Sequence, residues 1–150
     1  MVSKEVEKLL LKVQKPGRYV GGELNEVIKD KKKVDCRFAF CFPDTYEVGM
    51  SHLGMKILYS LMNAVPYIWC ERVFAPWVDM EEEMIKHNIP LYALESGDPV
   101  SDFDFIGFTL QYELSFTNML NMLRLSGVPI KSCDRKELKN IVVAGGRCAC

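Results

Sequence analysis

The chain has 150 residues, 49% of them apolar and 26% charged, and a formal net charge of −1, which suits one folded domain. This balance excludes a disordered tail and a general nucleic-acid footprint. No secretory leader is visible and no apolar run approaches the ~18 residues of a membrane span, so the expected compartment is the cytoplasm.

The first 33 residues hold nine Lys/Arg and five Asp/Glu, with a small basic run at Lys29, Lys31, Lys32 and Lys33. Val6, Leu9, Leu10 and Val13 recur at helical spacing until Pro16-Gly17 breaks the pattern. A short polar helix is expected over 23–29. Neither segment belongs to an α/β unit, so 1–33 reads as an N-terminal arm and 34–150 as the domain proper.

From Val34 the run becomes almost wholly apolar, as in a strand covered on both faces, and Pro43 ends it at 42. Leu53, Ile57, Leu58, Leu61, Met62 and Val65 then predict the inward face of a helix over about 50–65. A second strand is expected at 67–75. Asp79 and Glu82 have capping-box spacing and open a helix to about 88, where His87 would compensate the dipole. Residues 91–94 read as a short edge strand and 103–110 as a second buried strand. Ser115 is placed to cap a helix over 116–126, with Phe116, Met119, Leu120 and Leu123 inward and Gly127 at its end. A last strand at 140–144 runs into Gly145-Gly146. Alternating strands and helices predict an α/β, Rossmann-like (flavodoxin-like), mostly parallel sheet with helices on both faces and the pair 34–42 and 103–110 at its centre. No helix follows the last strand, so the sheet reads as truncated at its C-terminal end.

Open sheets of this kind bind ligands beyond the carboxyl ends of their strands, where strand order reverses. Three segments fall on that edge: the long polar loop 43–54, the loop 109–115, and Gly145-Gly146-Arg147-Cys148. They give a cleft lined by Asp44, Tyr46, Glu47, Ser51, His52, Gln111, Tyr112 and Glu113, with Gly145 and Gly146 as its floor. Glu47 and Glu113 are read as solvated carboxylates or acceptors of backbone amides, with a carboxylate pair across the cleft as the sharper alternative. The G-x4-G spacing of Gly49 and Gly54 is not a dinucleotide fingerprint. Ser51-His52-Leu53-Gly54 lacks the D-x-H-x-x-G pattern of a cobalt-ligating histidine, so His52 reads as a helix-start or surface residue. The six cysteines give only C-x4-C and C-x-C spacings, matching neither a zinc site nor the C-x3-C-x2-C of a radical SAM cluster. Cys36, Cys41 and Cys70 read as small buried hydrophobes. No nucleophile set stands out, so no catalytic or metal-ligating residue is assigned.

Five stretches also carry a resemblance: 15–25 (Lys-Pro-Gly-Arg-Tyr-Val-Gly-Gly-Glu-Leu-Asn), 38–54, 72–77 (Arg-Val-Phe-Ala-Pro-Trp), 106–115 and 144–149. Together they resemble the opening of bacterial radical SAM proteins with an N-terminal cobalamin (B12)-binding-like domain. The resemblance implies a following radical SAM domain as partner, with three cysteines, a [4Fe–4S] cluster and S-adenosylmethionine. Cobalamin is implied by fold kinship rather than by identified ligands. The expected role is to present a corrinoid or a substrate to that catalytic domain. The alternative is a cofactor-free binding or docking module. Either way the chain holds no complete catalytic site, and neither nucleic acid nor a membrane is an expected partner.

Overall fold

The computed structural model describes residues 4–146. Four strands, β1 (Cys36–Phe42), β2 (Ile68–Phe74), β3 (Phe105–Leu110) and β4 (Ile141–Gly146), form one sheet in the order β2-β1-β3-β4, with every pair parallel. The expected central pair is therefore adjacent: Phe38 lies opposite Phe105 and Cys41 opposite Phe108. Five helices accompany the strands: α1 (Lys4–Leu10), α2 (Tyr46–Ser51), α3 (Leu53–Asn63), α4 (Val78–His87) and α5 (Ser115–Leu125). None is long and apolar enough to cross a membrane.

Right-handed crossovers decide which face each helix covers. The chain moves one way from β1 to β2 and the other way from β2 through β3 to β4, so α3 lies on one face and α4 and α5 on the other. The core confirms this division. Ala39, Cys41, Val73, Ile106 and Phe108 pack with Met80, Met84, Met122 and Leu123, whereas Phe40, Phe42, Cys70 and Phe74 pack with Met55 and Tyr59. The N-terminal arm joins the first cluster through Val6, Leu9, Val13 and Tyr19. Burial pushes the thiols of Cys41 and Cys70 far up, so both are inert apolar filling, while Cys36 is half-buried.

Several expected elements differ. The helix placed at 50–65 is two helices broken at His52, whose backbone is extended (φ −77°, ψ 113°) and whose imidazole Nδ1 accepts the Met55 N–H at 3.2 Å. The break changes which side faces inward. Met55, Tyr59 and Asn63 are buried, and the stripe Leu53, Ile57, Leu58 and Leu61 is exposed. Phe116 and Leu120 of α5 are likewise exposed, and Met122 and Leu123 take the inward positions. Residues 23–29 form a turn and irregular backbone rather than a helix; here the Glu26 carboxylate accepts the N–H groups of Gly22 and Glu23. No capping box forms at Asp79, because the N-cap of α4 is Trp77, two residues earlier, and the Asp79 carboxylate accepts the Gln14 N–H from the arm at 2.8 Å. Ser115 is inside α5, with no side-chain cap.

The expected edge strand at 91–94 is reduced to an isolated bridge between Tyr92 and Pro99. The outer edge of β2 is closed by other means. The Asn63 amide both accepts from Cys70 N–H (3.0 Å) and donates to Cys70 C=O (2.9 Å). The Glu95 carboxylate accepts Arg72 N–H at 2.7 Å, and Leu94 N–H donates to Arg72 C=O at 2.9 Å. Lys29 Nζ donates to Ile68 C=O at 2.5 Å, and also to the Asn63 and Val65 carbonyls where α3 ends. At the opposite end of the sheet, Ile141 and Val143 of β4 are exposed on the α3 side, and the Phe38 ring lies over Gly107, where a Cβ would come within 2.3 Å of it.

Replacing Asn63 by Ala leaves a buried N–H and a buried C=O of β2 without partners. The expected loss is about 2–4 kcal/mol of unfolding free energy, against less than about 0.5 for the exposed Lys32→Ala, both read from urea denaturation. A loss below about 1 kcal/mol for Asn63→Ala would contradict the edge-sealing role.

Candidate functional site

The carboxyl ends of β1 and β3 lie side by side, and the chain leaves them in opposite directions across the sheet. This is the reversal point at which open α/β sheets bind ligands. After β1, Pro43 stops the strand, the Asp44 carboxylate accepts the Thr45 N–H at 2.7 Å, and Thr45 leads into α2. The stretch 43–54 is thus mostly helix rather than a long polar loop. After β3, residues 111–114 form a turn that enters α5. Gly146 closes the third side: its φ is +153° and a Cβ there would fall 2.0 Å from the Leu110 carbonyl oxygen, so only glycine lets β4 lie this close to the end of β3. Gly145 faces open space. Arg147 and Cys148 lie outside the described residues.

Of the residues expected in the cleft, Asp44 and Tyr112 meet. The Tyr112 hydroxyl donates to Asp44 Oδ2 and spans the mouth between the two strand ends. Asn118 of α5 adds a second tie by donating to Pro43 C=O at 2.9 Å. The Gln111 amide donates to Thr109 Oγ1 at 2.5 Å on the same rim, and Glu113 is exposed beside it.

The other four turn away. Tyr46 packs edge-on against Phe74 and its hydroxyl donates to Glu23 of the arm. Glu47 pairs with Arg18 (2.8 Å) and Lys15 (3.4 Å), and the Arg18 hydrogen bond holds its carboxyl below the usual range. Glu47 and Glu113 therefore do not form a carboxylate pair. The Ser51 hydroxyl donates to Val48 C=O within its own helix. The His52 ring lies 5.3 Å from the Phe42 ring while its Nδ1 caps α3. The Nδ1 atom of His52 is thereby occupied as the cap of α3. Among the described residues no group of three His, Cys, Asp or Glu side chains converges as a metal site.

One region carries no assignment from sequence spacing. Beyond the carboxyl end of β2, Arg18, Tyr19, Thr45, Tyr46, Trp77 and Tyr92 line a narrow aromatic cavity. The Arg18 guanidinium lies 5.4 Å from the centre of the Trp77 ring, and the Tyr19 hydroxyl accepts the Trp77 N–H at 3.1 Å. The signal was present in the stretches 15–25 and 72–77. Nothing in either one indicates that the two meet in space.

The family model described as radical SAM proteins, N-terminal, matches residues 54–150, more than half of the chain. The chain belongs to this family. The match begins within α3 and takes in β2, β3, β4 and the crevice's second and third sides. No curated protein matches the chain, and no solved structure does.

The Asp44 hydrogen bond, with burial second, pushes the Tyr112 phenol from the ordinary value near 10 up to about 12. A phenol whose folded pKa is raised holds its proton in the native state after the unfolded chain has released it. Its stabilising contribution is full below pH 10 and is lost as pH rises to about 12. Ultraviolet titration of Asp44→Asn should show one tyrosine moving back toward 10. An unchanged alkaline titration would contradict the bridge.

Proposed function

We propose that this domain is the substrate-presenting N-terminal module of a radical SAM protein. In the whole protein, a following domain with three cysteines would hold a [4Fe–4S] cluster and S-adenosylmethionine, and that pair would supply the radical chemistry. The residues of this chain would bind and orient. The observation that supports this reading is the Asp44–Tyr112 bridge at the reversal between β1 and β3, with Gln111 and Glu113 beside it. A carboxylate, a phenol and an amide on one rim can hold a polar substrate in a fixed orientation. Orientation of this kind is what a radical donor in a neighbouring domain requires.

Between cofactor and substrate, we assign the crevice to substrate. The geometry of His52 argues against the corrin reading, which leaves the chain close in kind to a cofactor-free docking module with a defined ligand rim. Mixing the protein with hydroxocobalamin should give no stoichiometric coloured complex on gel filtration. A retained one-to-one complex with a shifted visible spectrum would restore the cobalamin role.

The decisive experiment uses the full-length protein. Tyr112→Phe and Glu113→Ala should leave reductive cleavage of S-adenosylmethionine in the absence of substrate unchanged. Substrate turnover should fall by about tenfold or more through lost orientation. Unchanged turnover and substrate affinity in both variants, with the fold intact, would sink the assignment.

A further inference from the structure

The two faces of the sheet are covered unequally. On one face α4 and α5 share the cover with the arm, and on the other α3 stands alone over β1 and β2. On that second face the strand register sets Phe38, Phe105 and Ile141 in one row, and Phe40, Gly107 and Val143 in the next. Phe38 stacks on Phe105 with ring centres 6.2 Å apart and lies over Gly107. Phe38 and Phe105 are half-buried, and Ile141 and Val143 are 51% and 48% exposed. None of the described elements covers this part of the sheet, which forms an apolar floor beside α3.

α3 is apolar on its outer side as well. Met55 and Tyr59 face the sheet, yet Leu53, Ile57 and Leu61, spaced four apart, are 69%, 50% and 61% exposed. Leu58 is exposed on the flank toward the floor. Lys56, the one charge in the helix, borders Asn25 and Arg72 on the opposite flank. A helix that is apolar all round is stable only when covered on every side. α3 therefore presents a ridge and the sheet beside it a floor. The 11 residues of α3 give about 16 Å of ridge, and the 6 of β4 about 20 Å of floor.

We propose that this face holds a second copy of the chain. A two-fold axis running alongside α3, on its floor side, lays α3 of each copy on the floor of the other. The two helices then form one shared layer between two sheets. Such a contact is isologous, so a single patch supplies both the ridge and the floor that it needs. This match within one surface selects a second copy over an unrelated partner. The patch holds no charged residue, and a net charge of −1 sets up little repulsion between copies. Its six exposed side chains leave on the order of 600 Å2 of apolar surface. That is the upper end of what a monomer leaves bare, and most of the ~800 Å2 per partner of a standard interface. The Asp44–Tyr112 crevice lies at the strand ends, outside the contact, and the inference does not rest on the substrate reading given to it.

The test is sedimentation velocity of this chain from about 1 to about 200 µM. The mass should move from 17.2 kDa toward twice that value, with its midpoint in the micromolar range. Ile57→Glu on the ridge and Val143→Lys on the floor should each raise the dissociation constant by about tenfold or more, because each buries an unpaired charge. Both positions are exposed within one copy, so circular dichroism and the urea midpoint of the monomer should stay unchanged. An equimolar mixture of the two variants should associate again. The new carboxylate of one chain then lies on the new ammonium of the other, and the remaining ridge and floor are native. A chain that stays at 17.2 kDa throughout would overturn the proposal. So would a dimer that both variants leave intact, or a mixture no more associated than either variant by itself. A monomer that instead floats with phosphatidylcholine vesicles would assign the face to lipid and overturn it too.

Discussion

An edge strand that carries two adjacent charges in its middle sets the terms for most of this fold. Glu71 and Arg72 project to opposite faces of β2, and both are buried. Glu71 is met by Arg37 Nη2 at 2.6 Å and by the Ser96 N–H at 3.0 Å. Arg72 is met by Glu95, whose pKa burial drives up against the pull of the arginine. Breaking either pair would strand a buried charge, at a cost of about 3–5 kcal/mol. Both pairs depend on the segment around 95–98 lying along the strand. The same segment, with Asn63 and Lys29, takes up the outward hydrogen-bonding groups of β2. An exposed row of such groups invites pairing with another chain. Here side chains and a loop close the row without a fifth strand.

This arrangement also positions the crevice. With β2 fixed at one end, β1 and β3 become the central pair, and their carboxyl ends lie side by side with little freedom. The segments that follow are then held by their own contacts: Asp44 to Tyr112, Asn118 to Pro43, and Gly146 against Leu110. Electrostatics separates the two sides of α2. Glu47 and Tyr46 are drawn to the arm, whereas Asp44 stays with β3 and leaves the rim polar but not densely charged.

The strands and their order were legible because a run such as 36–42 suits a strand covered on both faces, and because alternation with helices limits the topologies. The facing of the helices was not. A stripe of Leu53, Ile57, Leu58 and Leu61 is the most apolar on its helix, yet Met55, Tyr59 and Asn63 are buried, because a phenol that reaches Val27 and an amide that seals Cys70 are worth more inside than extra methyl groups. Hydropathy cannot register that preference. In the cleft, the pattern located the right strand ends and named Asp44 and Tyr112 without indicating that they touch. His52, Ser51 and Glu47 look available in the sequence because the partners that occupy them are a backbone amide, a carbonyl within the same helix and an arginine 29 residues away. The cavity under Arg18 and Trp77 was hidden for the same reason, since its walls come from segments distant in the chain.

The way the arm is bound bears on the order in which the protein can acquire its structure. Lys12 contacts His87, Gln14 bonds to Asp79, the Tyr19 carbonyl accepts from the Tyr92 hydroxyl, and the Val27 carbonyl accepts from Trp69, over separations of 42 to 75 residues. At about 5–20 residues per second, these stretches leave the ribosome roughly 2–15 s before the groups that anchor them exist. Through that interval Val6, Leu9 and Val13 have no core to enter, and the lysines interspersed among them are the main protection against premature association. The arm is made early and placed late, so its docking becomes the step that registers whether β2 and α4 have already found their positions.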